Sequence, residues 1–190
     1  HASFVATQVA KTLAQKGFRI SDVIDPFAGS GNLLFHMLRA TKARRGIGFD
    51  LGDVSDLTQR NFARLRWTGR LGLTDVALHK QDWSHSADHL QGRPTVVLIS
   101  PPWGPALTPE GLDLRRTAPP VLTVLEKLRA NTRGTPTFAV VQTFPRMAEE
   151  SVTEITGRYE ALPTVRSDDP AINGSIDYLL LRLDGQPNAD

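Results

Sequence analysis

The stretch Val23-Ile24-Asp25-Pro26-Phe27-Ala28-Gly29-Ser30-Gly31-Asn32 is a short apolar run that ends in an acid and opens into a glycine turn. Leu33, Leu34, Met37 and Leu38 follow at helical spacing, so the glycines sit where a buried strand meets a helix N-terminus. Gly29 and Gly31 lack the Cβ atoms that would block a close approach, and the first helical N–H groups face whatever binds there. The junction predicts a ligand site at the end of a strand.

The rest of the chain repeats the alternation of strand and helix. Val5, Val9 and Leu13, with Gly17 beyond them, predict a helix over 6–15. Strands are predicted at 46–50, 76–82, 95–99 and 137–141, with helices at 54–65, 121–129 and 148–157. Pro94 and Pro101 bound the continuous apolar run Thr95-Val96-Val97-Leu98-Ile99, which suits a strand buried on both faces. Residues 103–115 read as a loop, and strands at 159–165 and 175–183 are joined through Asn173-Gly174, a hairpin turn. The pattern predicts an α/β fold, a doubly wound and mostly parallel seven-stranded sheet with a C-terminal antiparallel hairpin. A single domain is expected over 1–190, with a lead-in helix over 1–22, a core over 23–183 and a polar tail over 184–190. Ligands of such sheets bind at the strand C-terminal ends, where Asp25, Asp50, Asp82 and Ser100 all fall.

Composition narrows the chemistry. The absence of cysteine excludes disulfides and thiolate metal sites. His85 and His89 can share a helix face near Asp82, but the sequence places no third ligand beside them, so no metal site is expected. No apolar run is long enough for a membrane span. The start, His1-Ala2-Ser3-Phe4, has neither an initiator Met nor a secretory pattern and reads as an excised domain or a tag remnant; a cytoplasmic location is expected. Net charge is +2, yet residues 1–145 carry +7 and 146–190 carry −5. Part of that excess, Arg60, Arg64, Arg66 and Arg70, predicts a basic face suited to a phosphate backbone, although a solvated helix face has the same composition.

Two ligands compete for the glycine turn. A dinucleotide brings a pyrophosphate, which the Asp25 carboxylate would repel; S-adenosylmethionine brings an ammonium and a sulfonium, which it attracts. The dinucleotide fingerprint also wants a small residue where this chain has Leu34.

With these residues the chain resembles the class I S-adenosylmethionine-dependent methyltransferases from Val23 to Leu183, and is similar to those that methylate exocyclic amines. The resemblance implies a Rossmann-like fold and a set of roles. Asp25, Gly29 and Gly31 would hold the methionine part of the cofactor, Asp50 the ribose hydroxyls and Asp82 the adenine amino group; Phe27 is a further candidate cofactor contact, and Trp83, next to Asp82, either lines the adenine pocket or packs under the following loop. Ser100-Pro101-Pro102-Trp103 resembles the Asn/Asp/Ser-Pro-Pro-aromatic motif of amino-methyltransferases. The amine of a base is a poor nucleophile because its lone pair is delocalised into the ring. Hydrogen bonds from its two N–H groups to fixed acceptors favour a pyramidal nitrogen, and the Ser100 oxygen and Pro101 carbonyl can be those acceptors, with Pro102 stiffening the backbone. Trp103 offers a face for stacking.

Ser-Pro-Pro-Trp-Gly looks most like the trimethylguanosine synthase type, which acts on guanine N2, while the first motif is equally at home in adenine-N6 enzymes. The leading expectation is an N-methyltransferase acting on an exocyclic amine in RNA, with S-adenosylmethionine as cofactor. A small-molecule or protein amide acceptor is the alternative, and a catalytically silent cofactor-binding subunit is a third.

Overall fold

The computed structural model describes residues 1–52, 54–70, 72, 74–165 and 178–185. Its centre is a seven-stranded sheet built from β1 (Asp22–Asp25), β2 (Arg45–Phe49), β3 (Asp75–His79), β4 (Thr95–Ile99), β7 (Thr137–Gln142), β8 (Glu160–Val165) and β9 (Tyr178–Arg182). β5 (Leu107–Thr108) and β6 (Gly111–Leu112) form a separate two-stranded hairpin. The sheet order is β3-β2-β1-β4-β7-β9-β8; the first five strands are mutually parallel, and β9 runs antiparallel to both β7 and β8. This is the predicted doubly wound sheet.

Period-two alternation divides the core. Val23, Val96, Leu98, Phe138, Val140 and Leu180 face one layer, where α1 (Ala2–Gln15), α2 (Asn32–Thr41) and α3 (Val54–Trp67) pack. Ile24, Val97, Ile99, Ala139, Val141 and Leu181 face the other, covered by α4 (Val121–Ala130), α5 (Glu149–Thr156) and the 3₁₀ turn Trp83–His89. With both faces covered, β1 and β4 are buried along their whole length, β4 as its continuous apolar run predicts and β1 with Asp22 and Asp25 buried at its two ends. Val121, Val124, Leu125 and Leu128 form the buried stripe of α4 at helical spacing, and burying each such side chain contributes roughly 1.5–3 kcal/mol.

Three expectations change in detail. α1 begins at Ala2 rather than residue 6. β3 ends at His79, so Asp82 lies beyond the strand and caps the 3₁₀ turn, its Oδ1 accepting from Ser84 N at 2.9 Å. The loop over 103–115 holds the β5–β6 hairpin, too short to leave a periodic signal. The Asn173-Gly174 turn lies outside the described residues, as does the side chain of Arg66.

β9 lies between β7 and β8 although it follows both in sequence. The residues explain the order. Leu180 and Leu181 enter opposite core layers, so β9 needs cover on both sides, while exposed Pro163 lacks an N–H and interrupts the β8 ladder, where the register shifts between Leu162 and Val165. Proline suits an edge strand.

Candidate active site

The order reverses between β1 and β4, and the crevice at such a switch point is where open α/β sheets bind ligands. A cavity of about 810 Å³ opens there. It is lined from β1 by Pro26, Phe27 and Gly29, from β2 by Asp50 and Gly52, after β3 by Asp82 and Trp83, and after β4 by Ser100 and Pro102. Its volume falls in the range of about 300–1,000 Å³ usual for small-molecule sites. Among the described residues the lining contains two carboxylates, Asp50 and Asp82, and no Lys, Arg or His.

Asp50 joins β2 to the glycine turn. Its Oδ2 accepts from Gly29 N at 2.9 Å and its Oδ1 from Gly52 N at 2.7 Å. Each carboxylate oxygen accepts more than one hydrogen bond, so both retain capacity toward the cavity. The other side of the turn is tied by the Thr58 hydroxyl of α3, which donates to Gly29 O.

The two glycines do different jobs. Both have left-handed backbones, φ +46 at Gly29 and +72 at Gly31. A Cβ on Gly29 would have only Phe27 O near it, at 4.0 Å, leaving open room on the cavity side. On Gly31 it would lie 2.4 Å from Phe62 Cε2 and 2.8 Å from Thr58 Cγ2. Gly31 makes room for α3 and lines a separate groove rather than the cavity that Gly29 lines.

Asp25 is also set back. It is 3 % exposed, does not line the cavity, and accepts from Phe27 N at 3.1 Å. Burial pushes its carboxyl up to about 7; the Phe27 N–H opposes the rise and the nearby Asp50 carboxylate adds to it. Asp82 moves the other way, held below the usual carboxylate range chiefly by hydrogen bonding from Ser84. Phe27 and Trp83 lie nearly parallel across the cavity, ring centres 6.5 Å apart and planes inclined 25°, with Lys127 Nζ 6.0 Å from the Trp83 ring centre.

After β4, Ser100 lines the cavity, and its hydroxyl makes no hydrogen bond among the described residues. Pro101 is buried, and among the described residues no backbone N–H donates to its carbonyl, whereas Pro102 O accepts from Ala118 N at 3.4 Å. Trp103 is half-buried outside the cavity lining, edge-on to Phe144 at 5.9 Å. The facing wall is Thr117-Ala118-Pro119-Pro120, which the sequence reading missed. Its one signal was a second proline pair just before α4.

Among the described residues no group of three or more His, Asp or Glu is placed to hold a metal ion. His89 instead packs against Phe49 and His79, with ring centres 5.3 Å away in each case. No described helix is long and apolar enough to cross a membrane. Arg60, on α3, lies near its own helix backbone, Nε 3.4 Å from Asp56 O, while Arg64 of α3 and Arg70 just beyond its end line a groove.

No protein-family model matches the sequence, and no curated protein matches it. Solved structures do match along nearly the whole chain. An rRNA methylase from Streptococcus thermophilus is 16% identical with a TM-score of 0.55, covering 92% of this chain and 93% of that one. A candidate RNA methyltransferase from Pyrococcus horikoshii is 14% identical with a TM-score of 0.57, covering 94% and 81%. A candidate methyltransferase from Escherichia coli is 16% identical with a TM-score of 0.55, covering 96% and 86%. At such identities the likeness is one of fold: this chain has the doubly wound fold of Rossmann-like methyltransferases.

Proposed function

We propose that the chain is a methyltransferase that uses S-adenosylmethionine to methylate an exocyclic amine of a base in RNA, guanine N2 or adenine N6. The observation that carries the cofactor assignment is the charge of the cavity: Asp50 and Asp82 line it and, among the described residues, no cationic side chain does. A pyrophosphate would meet the two lining carboxylates, with Lys127 the nearby cation behind Trp83, whereas a ligand with an ammonium and a sulfonium gains from both acids. The RNA substrate is supported by the names of two structural neighbours and by the arginine-rich α3.

Asp50 is assigned to the ribose hydroxyls, since its carboxylate is already oriented by Gly29 and Gly52. Asp82 and the Phe27 and Trp83 rings are assigned to the adenine end, Gly29 to the methionine end, and buried Asp25 to the charge behind that end. A cation brought near Asp25 favours its ionised form, so binding should expel a proton. The bound cofactor supplies an electrophilic methyl carbon with a neutral thioether as leaving group. The Ser100 hydroxyl and Pro101 carbonyl, both without a donor among the described residues, accept from the two N–H groups of the amine. That contact strengthens as the nitrogen pyramidalises, so it favours the transition state over the ground state. The amine proton then leaves to solvent. Trp103, with Phe144 against its edge, extends an aromatic wall beyond Pro102 on which the acceptor base can rest.

The test is transfer of labelled methyl to total RNA, DNA, protein and small-molecule fractions, followed by nucleoside analysis. Label in N2-methylguanine or N6-methyladenine from RNA is expected. Label only in protein or small molecules would replace the substrate, and no incorporation anywhere would sink the enzyme assignment.

A further inference from the structure

Three cavities away from the cofactor site lie in succession, each sharing lining residues with the next. The first, about 540 Å³, starts at Ser30, Gly31 and Asn32 of the glycine turn and runs between α2 and α3 to Arg64 and Arg70. The second, about 760 Å³, shares Arg70 with it and continues to Arg39, Lys42 and Arg44 at the N-terminal ends of the strands. The third, about 660 Å³, shares Lys42 and Arg44 with the second and ends at Arg19 beneath α1. Among the described residues the combined lining holds six permanent cations and no Asp or Glu. None of the six forms an ion pair among the described residues.

This is the reverse of the catalytic cavity, which has carboxylates and no cations, and the two meet at Gly29-Ser30. The succession also contains an aromatic platform. Phe35, half-buried, lines its upper end, with the Arg39 guanidinium 5.7 Å from the ring centre. Cations strung along a groove beside an aromatic face are what a single nucleic-acid strand requires: phosphates meet the charges and a base stacks on the ring. An acidic peptide would use the charges alone, whereas a nucleic-acid strand also brings a planar base to the Phe35 and Arg39 pair. His36 lines the same groove, its imidazole held below the usual histidine range by burial and by Arg39.

We propose that the α2–α3 face is a second RNA-binding surface, a track that carries the single strand flanking the target nucleotide from the glycine turn toward the base of the sheet. The proposal rests on the RNA reading above and refines it: Arg64 and Arg70 take part, and Arg60, which lines none of the three cavities, does not.

Binding of a fluorescein-labelled 12-nucleotide single-stranded RNA to the whole chain, followed by anisotropy across a salt series, tests the proposal. Each phosphate neutralised adds about −0.7 to the slope of log K against log salt for single strands, so the double variant Arg44→Gln/Arg70→Gln should flatten it by about 1.4. Phe35→Leu should leave the slope alone and weaken binding roughly fivefold to more than a hundredfold. Lys11→Gln, off the track on α1, should change neither. Cofactor affinity, measured by calorimetry, should be equal in all of them, which shows that the variants fold. If the parent methylates RNA but the double variant keeps the parental slope, the track is wrong and the RNA reading stands. If the parent binds RNA no better than a poly-glutamate peptide and transfers nothing to it, the RNA reading itself fails.

Discussion

Replacing Asp25 by Asn should make the protein more stable and bind its cofactor less well. A carboxyl that ionises near 7 when folded and near 3.8 when unfolded binds its proton more tightly in the folded chain. Its contribution to stability is therefore complete below pH 3.8, shrinks as pH rises, and is gone above about pH 7. The displacement corresponds to about 4 kcal/mol, a large part of the roughly 5–15 kcal/mol that holds a domain together. Asn never ionises, has nearly the same shape, and its Oδ1 can still accept from Phe27 N, 3.1 Å away in the parent. Urea unfolding of both proteins at pH 4 and pH 8 should give similar free energies at pH 4 and an advantage of up to about 4 kcal/mol for Asp25→Asn at pH 8. Other titrating groups are common to both proteins and cancel in the difference. Calorimetry should show parental affinity for S-adenosylmethionine rising with pH through 7 as the carboxylate forms, a dependence that the Asn variant lacks. Equal stabilities at pH 8 would refute the buried, proton-holding carboxyl; equal cofactor affinities across the same range would remove Asp25 from the cofactor's surroundings.

Three further outcomes are expected. Asp50→Ala should weaken cofactor binding by about 1.5–3 kcal/mol in calorimetry, as for hydrogen bonds to a charged group, and should free the Gly29 and Gly52 N–H groups that it holds. Gly31→Ala should cost about 2–5 kcal/mol of stability in thermal or urea unfolding, from left-handed strain plus overpacking against Phe62, whereas Gly29→Ala should cost only the strain, about 1–2 kcal/mol, and lose cofactor affinity instead. Ser100→Ala should lower kcat with cofactor affinity intact, while Trp103→Ala should chiefly raise KM for the acceptor and Trp103→Phe should recover part of the loss; full activity in all three would overturn the assignment of the amine to this corner.

The parallel half of the sheet was legible because each strand announces itself locally. Proline limits at 94 and 101 bracket β4, and the glycine turn marks the end of β1. The position of β9 was not legible as a neighbour of β7, because pairing across a long separation leaves no periodic trace; the only hint was Pro163, which marks β8 as an edge. Site residues followed the same division. Asp50 and Ser100 could be read from strand ends, and both line the cavity. The parts of Asp25 and Gly31 depended on depth, which spacing along the chain does not encode: one lies behind the cavity wall, the other under α3. Thr117 to Pro120 reach the site only through the path of an irregular loop, so no pattern in their own stretch aimed them there.

The interior position of β9 also bears on how the chain is made. β7 pairs with β9 along Phe138–Gln142, and Thr137 at the foot of β7 is fixed last, its N–H donating to Asp184 Oδ1 at 3.0 Å and its carbonyl accepting from Leu183 N at 2.8 Å. A growing polypeptide that has emerged only as far as β8 has nothing to fill that slot. Until residues 178–184 leave the ribosome, β7 presents an open ladder flanked by Phe138, Val140 and Val141, an apolar edge ready to pair with another chain. Truncation before Tyr178 should therefore yield a product that aggregates, rather than a domain missing a dispensable end strand.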